Sequence, residues 1–344
     1  MDTASTDVTH PNPGAQPTWR IYTKATALLF AMVHFTVLAG VLLSGWSWTG
    51  FALAVAVYYA RMVAVTAGYH RYFSHRSFST SRAFQFLLAL GAQSAAQRGV
   101  LWWASHHRWH HRYSDTERDV HSPRQRGFWY AHVGWIFSDA WETTDARLVP
   151  DLAKYPELRW LDKDGNHLLP TVALGLAFLL LGGPFGLLWG YMFSTVMLWH
   201  GSFAINSFTH LFGRRRYATT DDSRNSFLLA ILTTGEGWHN NHHHYASSAG
   251  QGFFWWEIDL TYYVLRLLEL LGLVWDLRRA PAAVLAGPLV RRTRAEPAGL
   301  RDLPAHPATS SGSALALAGS EASREGLGSH YHRAVSRDAM SSAQ

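Results

Sequence analysis

Four apolar runs, joined in pairs by turns too short to hold anything but a reversal, constrain this chain most. Lys24 to Leu43 is nearly uncharged, and Trp48 to Gly68 is interrupted only by Arg61; Ser44-Gly45-Trp46-Ser47 links them. Leu168 to Leu181 and Phe185 to Leu211 repeat the plan around Gly182-Gly183-Pro184. Each run of the first pair has the ~20 residues that a bilayer core requires, so the pairs read as helical hairpins in a membrane. Arg61 is expected near a helix end, where its long side chain can snorkel to the headgroups.

Neither tight turn carries Lys or Arg, whereas Arg71 to Lys163 and the region after Leu211 carry many. The positive-inside rule then places both termini and the long central segment on the cytosolic side. The fold expected is an all-α integral membrane protein, with four transmembrane helices and a cytosolic helical cap carrying a histidine-rich di-metal site. Residues 83–97, with Gln85, Gln93 and Gln97, are too short and polar for a span and read as an interfacial or re-entrant helix. Phe253 to Trp275 reads as another interfacial helix, with Asp259, Arg266 and Glu269 on one stripe. Residues 1–18 and 281–344 have the composition of disordered tails, leaving 19–280 as one domain. The chain is basic, with 30 Lys and Arg against 24 Asp and Glu. Its arginines lie in loops between apolar runs, which points to a membrane surface and not to nucleic acid.

Cysteine is absent, which removes thiolate nucleophiles and Cys-ligated metal sites. Histidine is abundant, at 20 residues, and patterned. His107, His110 and His111 are three and four apart, the spacing that shares one helix face. His239, His242 and His243 repeat it. His70 and His75 lie where the second run stops being apolar. Five residues apart on an α-helix is about 140° off-face, so the helix must end or bend between them. His210 follows Asn206 by one turn. The topology brings all these groups to one membrane face, and nine imidazoles are too many for one ion, so two metals are expected. Imidazole alone does not choose among Zn, Cu, Fe and Ni. The Glu-x-x-His pairs of ferritin-like sites are absent. His34 and His200 are expected to be packing residues in apolar helices, and His106 and His244 to support their clusters without binding metal. Asn206 either holds a metal-bound water or makes an interhelical contact; Gln97 either lines a polar wall or is interfacial.

The segments His70-Arg71-Tyr72-Phe73-Ser74-His75, His107-Arg108-Trp109-His110-His111 and His239-Asn240-Asn241-His242-His243 resemble the three histidine boxes of integral-membrane fatty acyl desaturases. The nearest likeness is to the stearoyl-CoA Δ9 group in a bacterial form. Thr66-Ala67-Gly68, Gly235-Glu236-Gly237, His132-Val133-Gly134-Trp135 and the stretch from Asn206 to Gly213 also match the family's flanking patterns. The resemblance spans about residues 20–280. It implies two iron ions held by His70, His75, His107, His110, His111, His210, His239, His242 and His243, with Asn206 holding a ligating water and no catalytic residue beyond the metal site. It implies O2-dependent insertion of a cis double bond, commonly between C9 and C10, into a fatty acyl thioester lying in a tunnel, where Gln97 is a candidate substrate contact. An unactivated methylene has no acidic proton, so a redox metal and outside electrons are needed, and orientation decides which C–H is reached. The carrier expected first is CoA, as an acyl-CoA thioester; in animal members an Arg-Asp pair contacts CoA, but Ser105 and His106 stand here, which leaves acyl carrier protein and intact lipid open beside it. With no fused cytochrome b5 or ferredoxin-like motif, a separate ferredoxin, rubredoxin or cytochrome b5 system is expected to supply electrons. The expected location is a bacterial inner membrane, with the site cytoplasmic. A related di-iron acyl or alkyl hydroxylase is the alternative within enzymes. A membrane metal transporter is the alternative outside them, though the histidines concentrate at one face and leave the spans largely apolar.

Overall fold

The computed structural model describes residues 24–290 except Asp164. The paired runs form helices. The first, α1, spans Lys24–Ser44 and α2 spans Trp48–Ala64. Gly45 turns between them with φ +79, a left-handed conformation open to glycine. Ser47 then caps α2 by accepting from the Gly50 amide at 3.1 Å. Leucines and phenylalanines of α1 such as Phe35 and Leu42 face outward, as they do on a helix solvated by lipid.

Three stretches among the described residues are long and apolar enough to cross a membrane: Thr26–Ser44, Trp48–Ser74 and Asn166–Phe208. The third, of 43 residues, is not one straight rod. Gly183 adopts φ 59 and ψ −156 and folds the chain back on itself. Across that fold the Thr171 hydroxyl lies 2.8 Å from the Tyr191 hydroxyl. A Cβ on Gly190 would meet the Phe178 ring at 2.4 Å, so the two arms touch where side chains are missing. The returning arm ends in Ser194–Phe208. Gly50 joins the hairpins in the same way, with the Trp189 ring 2.5 Å from where its Cβ would be.

Beyond α2 the helix does end before His75, which caps it just after Ser74, but it does not stop at His70. It widens into a π-helix over Val65–Ser74. The His75 amide donates to the His70 carbonyl at 3.2 Å, and i→i+5 bonding sets residues five apart nearly above one another. The ring centroids are 4.8 Å apart.

Arg61 does not snorkel. It is buried and donates to the Ser194 and Thr195 hydroxyls at 2.9 and 2.7 Å and to the Ser94 carbonyl at 2.6 Å. The second hairpin offers it a polar socket that the headgroups would otherwise have to supply.

The next helix, α3, spans Arg82–Gln93 and packs on the π segment, with the Leu88 carbonyl 3.0 Å from a Cβ placed on Gly68. Its glutamines turn inward: Gln85 accepts from the Tyr72 hydroxyl at 2.9 Å. Then α4, Val100–Tyr113, carries the central histidines. Residues 115–168 form short helices, and Trp102, Val120, Tyr130, Trp135 and Trp141 pack into a small core beneath them. Among the described residues the regular structure is helical apart from a two-residue antiparallel pairing of Ser79–Thr80 with Val274–Trp275 and isolated bridges such as Arg214 with Asn225.

The stretch 253–275 is helical only over Leu260–Leu270. Asp259 leaves the stripe assigned to it. It caps that helix, accepting from the Tyr262 amide at 2.9 Å, and it pairs with buried Arg71. Residues 282–290, assigned to the tail by composition, continue the fold: Ala282–Leu285 is helical and the Val290 amide donates to the Arg216 carbonyl at 2.8 Å. The rest of the two tails, 1–18 and 291–344, lies outside the described residues.

Candidate metal centre

The nine histidines converge, and they separate into two groups. His70, His75, His107, His111 and His242 form one; His110, His210, His239 and His243 form the other. Each of two helices serves both. On α4, His107 and His111 share a side while His110 is rotated away by about 80° from their mean direction. The short helix His239–His244 sends His242 to the first group and His239 and His243 to the second. The three-and-four spacing therefore bridges two sites and does not crowd one.

The Nε2 atoms of the first group stand in a chain of near contacts: His70 to His242 at 3.0 Å, His242 to His111 at 2.9 Å, His111 to His107 at 3.0 Å and His107 to His75 at 2.8 Å. In the second group His210 Nε2 lies 3.0 Å from His239 Nε2. Two nitrogens about 2.1 Å from one ion and at right angles about it stand about 3.0 Å apart, so these separations fit adjacent corners of a coordination shell.

Tautomers agree with that fit. The Nδ1 atoms of His70, His110, His210 and His243 face Glu236, Asp119, Asp115 and Asp221 at 2.5, 2.8, 2.8 and 2.5 Å. A proton on Nδ1 bound to carboxylate leaves Nε2 as a bare lone pair, the form a cation takes. His243 Nε2 is buried and has no hydrogen-bond partner in the protein. Three of the four carboxylates support the four-histidine group. Burial first, and neighbouring imidazoles second, hold His107, His111, His239 and His242 well below the ordinary histidine range, so they stay neutral. Burial would raise Asp115, but the bond from His210 prevails and holds it down to about 2. Asp119, Asp221 and Glu236 are likewise held low against the effect of burial by their imidazole partners. These four carboxylates went unnoticed in the sequence reading, although Glu236 lies in a flank quoted there.

An apolar cavity of about 260 Å³ ends against the site. His107 belongs both to its wall and to the five-histidine group. Asn206 and Gln97 line it, with the Gln97 amide donating to the Ser202 hydroxyl at 3.0 Å. His121, not singled out by the sequence, also lines it, its ring 4.4 Å from that of His110 and its Nδ1 unpartnered.

Several other described histidines keep structural contacts. His106 pairs with the Trp102 carbonyl at 2.8 Å, and His244 stacks on Tyr217 and pairs with the Val284 carbonyl. His34 and His200 bond each other at 3.1 Å, and His200 continues to His132 at 3.0 Å.

Carboxylates that orient metal-binding imidazoles have a measurable weight. Asp119→Asn keeps the size of the side chain and removes the charge on His110. It is expected to weaken metal retention by roughly 10–100-fold, read as the chelator concentration that halves bound metal. Retention equal to wild type would make Asp119 a packing residue.

A family model described as fatty acid desaturase matches residues 46–277. The chain is 38% identical over 255 residues to the sn-1 stearoyl-lipid 9-desaturase of Anabaena variabilis, covering 74% of this chain and 93% of that protein. It is 36% identical over 277 residues to the protein of that name from Synechocystis, covering 80% and 84%. It is also 38% identical over 237 residues to an acyl-CoA 5-desaturase of Anemone leveillei, covering 67% and 73%.

Proposed function

The chain belongs to the fatty acid desaturase family, and from that premise we propose that it removes two hydrogens from C9 and C10 of a saturated acyl chain to leave a cis double bond. The observation that carries this reading is the shared wall: an apolar cavity closes against His107, which is also one corner of the five-imidazole group. An acyl chain filling that cavity would lie beside the metal-binding site over its whole inner end. Iron held by both groups would supply the one-electron chemistry that O2-dependent removal of hydrogen from an unactivated C–H bond needs. The balance is one O2, two electrons and two protons consumed with the two substrate hydrogens, and two waters formed.

The protein's own contribution is position and exclusion. Trp102, Trp103, Trp199 and Phe203 on the wall fix the chain and keep water from the carbons that react. Asn206, one turn before His210 and on the wall of the cavity, holds a water for the four-histidine group, which has one imidazole fewer than its neighbour. Gln97 is fixed to Ser202 and presents its remaining polar atom to the substrate. His70, His75, His107, His111 and His242 hold one iron; His110, His210, His239 and His243 hold the other.

The hairpin folded at Gly183 is read as two crossings. That gives four in all, with both histidine groups and the short helices of the cap on the cytosolic side of a bacterial inner membrane. A separate ferredoxin, rubredoxin or cytochrome b5 system supplies electrons. The carrier we favour is a membrane lipid and not the CoA thioester expected at first. The cyanobacterial relatives, matched along most of their length, are named for lipid-borne stearoyl chains, and Ser105 and His106 replace the pair that contacts CoA elsewhere.

The test is the fatty acid profile of a desaturase-deficient host expressing the chain with a matched electron donor, with double bonds located by mass spectrometry. A new cis-Δ9 monoene, absent from a His107→Ala control, is expected. Hydroxylated chains in its place would make the protein a hydroxylase, and unchanged acyl chains in iron-loaded protein would refute both.

A further inference from the structure

We propose that Arg98 is a phosphate anchor for the head of the substrate, an inference that rests on the acyl-chain reading of the cavity. Arg98 lines that cavity, and among the described residues its guanidinium makes no hydrogen bond or ion pair; its contact is the face of Trp102, 5.7 Å from the ring centroid. A guanidinium has five N–H donors, and those of half-buried Arg98 are open to an acceptor entering the cavity. No Asp or Glu lies among the residues lining the cavity, whereas His106 and His167 do. The carboxylate packed against Gly99, that of Asp162, is already taken: it accepts from the Trp102 amide at 3.1 Å and the Thr144 hydroxyl at 2.8 Å. Asp145 is bound to Arg147.

The backbone shows that this placement is enforced. Ala96 and Arg98 both hold left-handed φ, 55 and 72, a conformation that non-glycine residues adopt only under strain. Four elements pin the loop. Arg61 and Thr171 donate to the Ser94 carbonyl at 2.6 and 2.9 Å. Trp199 donates to the Ala95 carbonyl at 2.9 Å and Tyr69 to the Arg98 carbonyl at 2.5 Å. The main chain is thus over-determined while the charged end is unengaged. A fork-shaped cation on the wall of an apolar cavity matches an acyl ligand with an oxyanion at one end, and phosphate fits the fork in bidentate fashion. The phosphate belongs either to a bilayer phospholipid or to the phosphopantetheine side of a thioester.

The experiment measures binding, not turnover. Purified full-length protein and its Arg98→Gln and Arg98→Lys variants are titrated calorimetrically with stearoyl-lysophosphatidylglycerol, stearoyl-CoA and neutral stearoyl-galactosylglycerol. Glutamine keeps the same φ cost as arginine, so the backbone strain is unchanged. Arg98→Gln is expected to weaken at least one phosphate ligand roughly 10–100-fold, with Arg98→Lys affected less and the galactolipid within twofold of wild type. Loss confined to the lysophospholipid assigns the phosphate to a membrane lipid; loss confined to stearoyl-CoA assigns it to a thioester. Unchanged affinity for both, or equal weakening of the galactolipid, overturns the anchor. Because no turnover is read, a phosphate-dependent loss in a chain that makes no monoene would leave the anchor standing and remove the desaturation. A monoene-forming chain without that loss would do the reverse.

Discussion

Alanine at His242 is expected to reduce desaturation below about 1% of wild type and to lower bound iron from two per chain to one, whereas alanine at His244 leaves both. The two residues share one short helix and separate by their partners. His242 Nε2 lies 3.0 Å from His70 Nε2 and 2.9 Å from His111 Nε2, so it stands between two corners of the five-imidazole group. His244 turns away, bonded to the Val284 carbonyl and stacked on Tyr217. Losing a residue that merely supports a ligand costs roughly 10–100-fold in metal affinity or activity, and losing a ligand costs more. The four-histidine group keeps all its imidazoles in this variant and should keep its iron. Iron content by mass spectrometry, beside the melting temperature of each variant, checks this. Two irons and full turnover in His242→Ala would strike it from the ligand set. One iron lost from His244→Ala with its fold intact would mean that the groups are drawn wrongly.

Much of the centre could be read from the chain because α-helical spacing is a strong signal. His107, His110 and His111 announce a shared face, and the structure brings all nine histidines together. What spacing could not give is the division of that face between two groups, which depends on where other helices stand. Nor could it give the π-helix that carries His70 and is capped by His75, because a periodicity rule built on i→i+4 bonding reads five residues as divergent. Charges misled in the same way at two places. Arg61 in an apolar run suggested a residue reaching for headgroups, and Asp259 near Arg266 suggested a wetted stripe. Both instead meet partners more than a hundred residues away in sequence, Thr195 and Arg71. The carboxylates on Nδ1 were hidden for a related reason. Asp119 and Asp221 lie on loops, where no period links them to the imidazoles they hold.

Arg71→Met is expected to destabilise the protein by about 3–5 kcal/mol, the usual cost of stripping one partner from a buried ion pair. That is a large share of the roughly 5–15 kcal/mol that holds a folded domain. Arg71 is buried next to a predicted ligand, and it ties the first histidine segment to the third. It donates to Glu236 at 3.0 Å, to Asp259 at 2.9 Å and to the Ala249 carbonyl at 2.7 Å. Gly235, at φ +126, leaves room for it: a Cβ there would lie 2.9 Å from Arg71 Nη2. Without the guanidinium, two carboxylates remain buried, and Glu236 can no longer hold the His70 ring in a fixed direction. Metal loss should therefore accompany the fall in melting temperature. Arg71→Lys keeps the charge but not the fork, so it should fall between the two. Asp259→Asn placed on Arg71→Met removes one of the stranded charges and should recover part of the loss, which an Arg71→Met effect due only to packing would not allow. Melting temperatures of the three variants in detergent, with iron content, separate these cases, and an Arg71→Met protein as stable and as iron-rich as wild type would mean that the buried pair does not join the two segments at all.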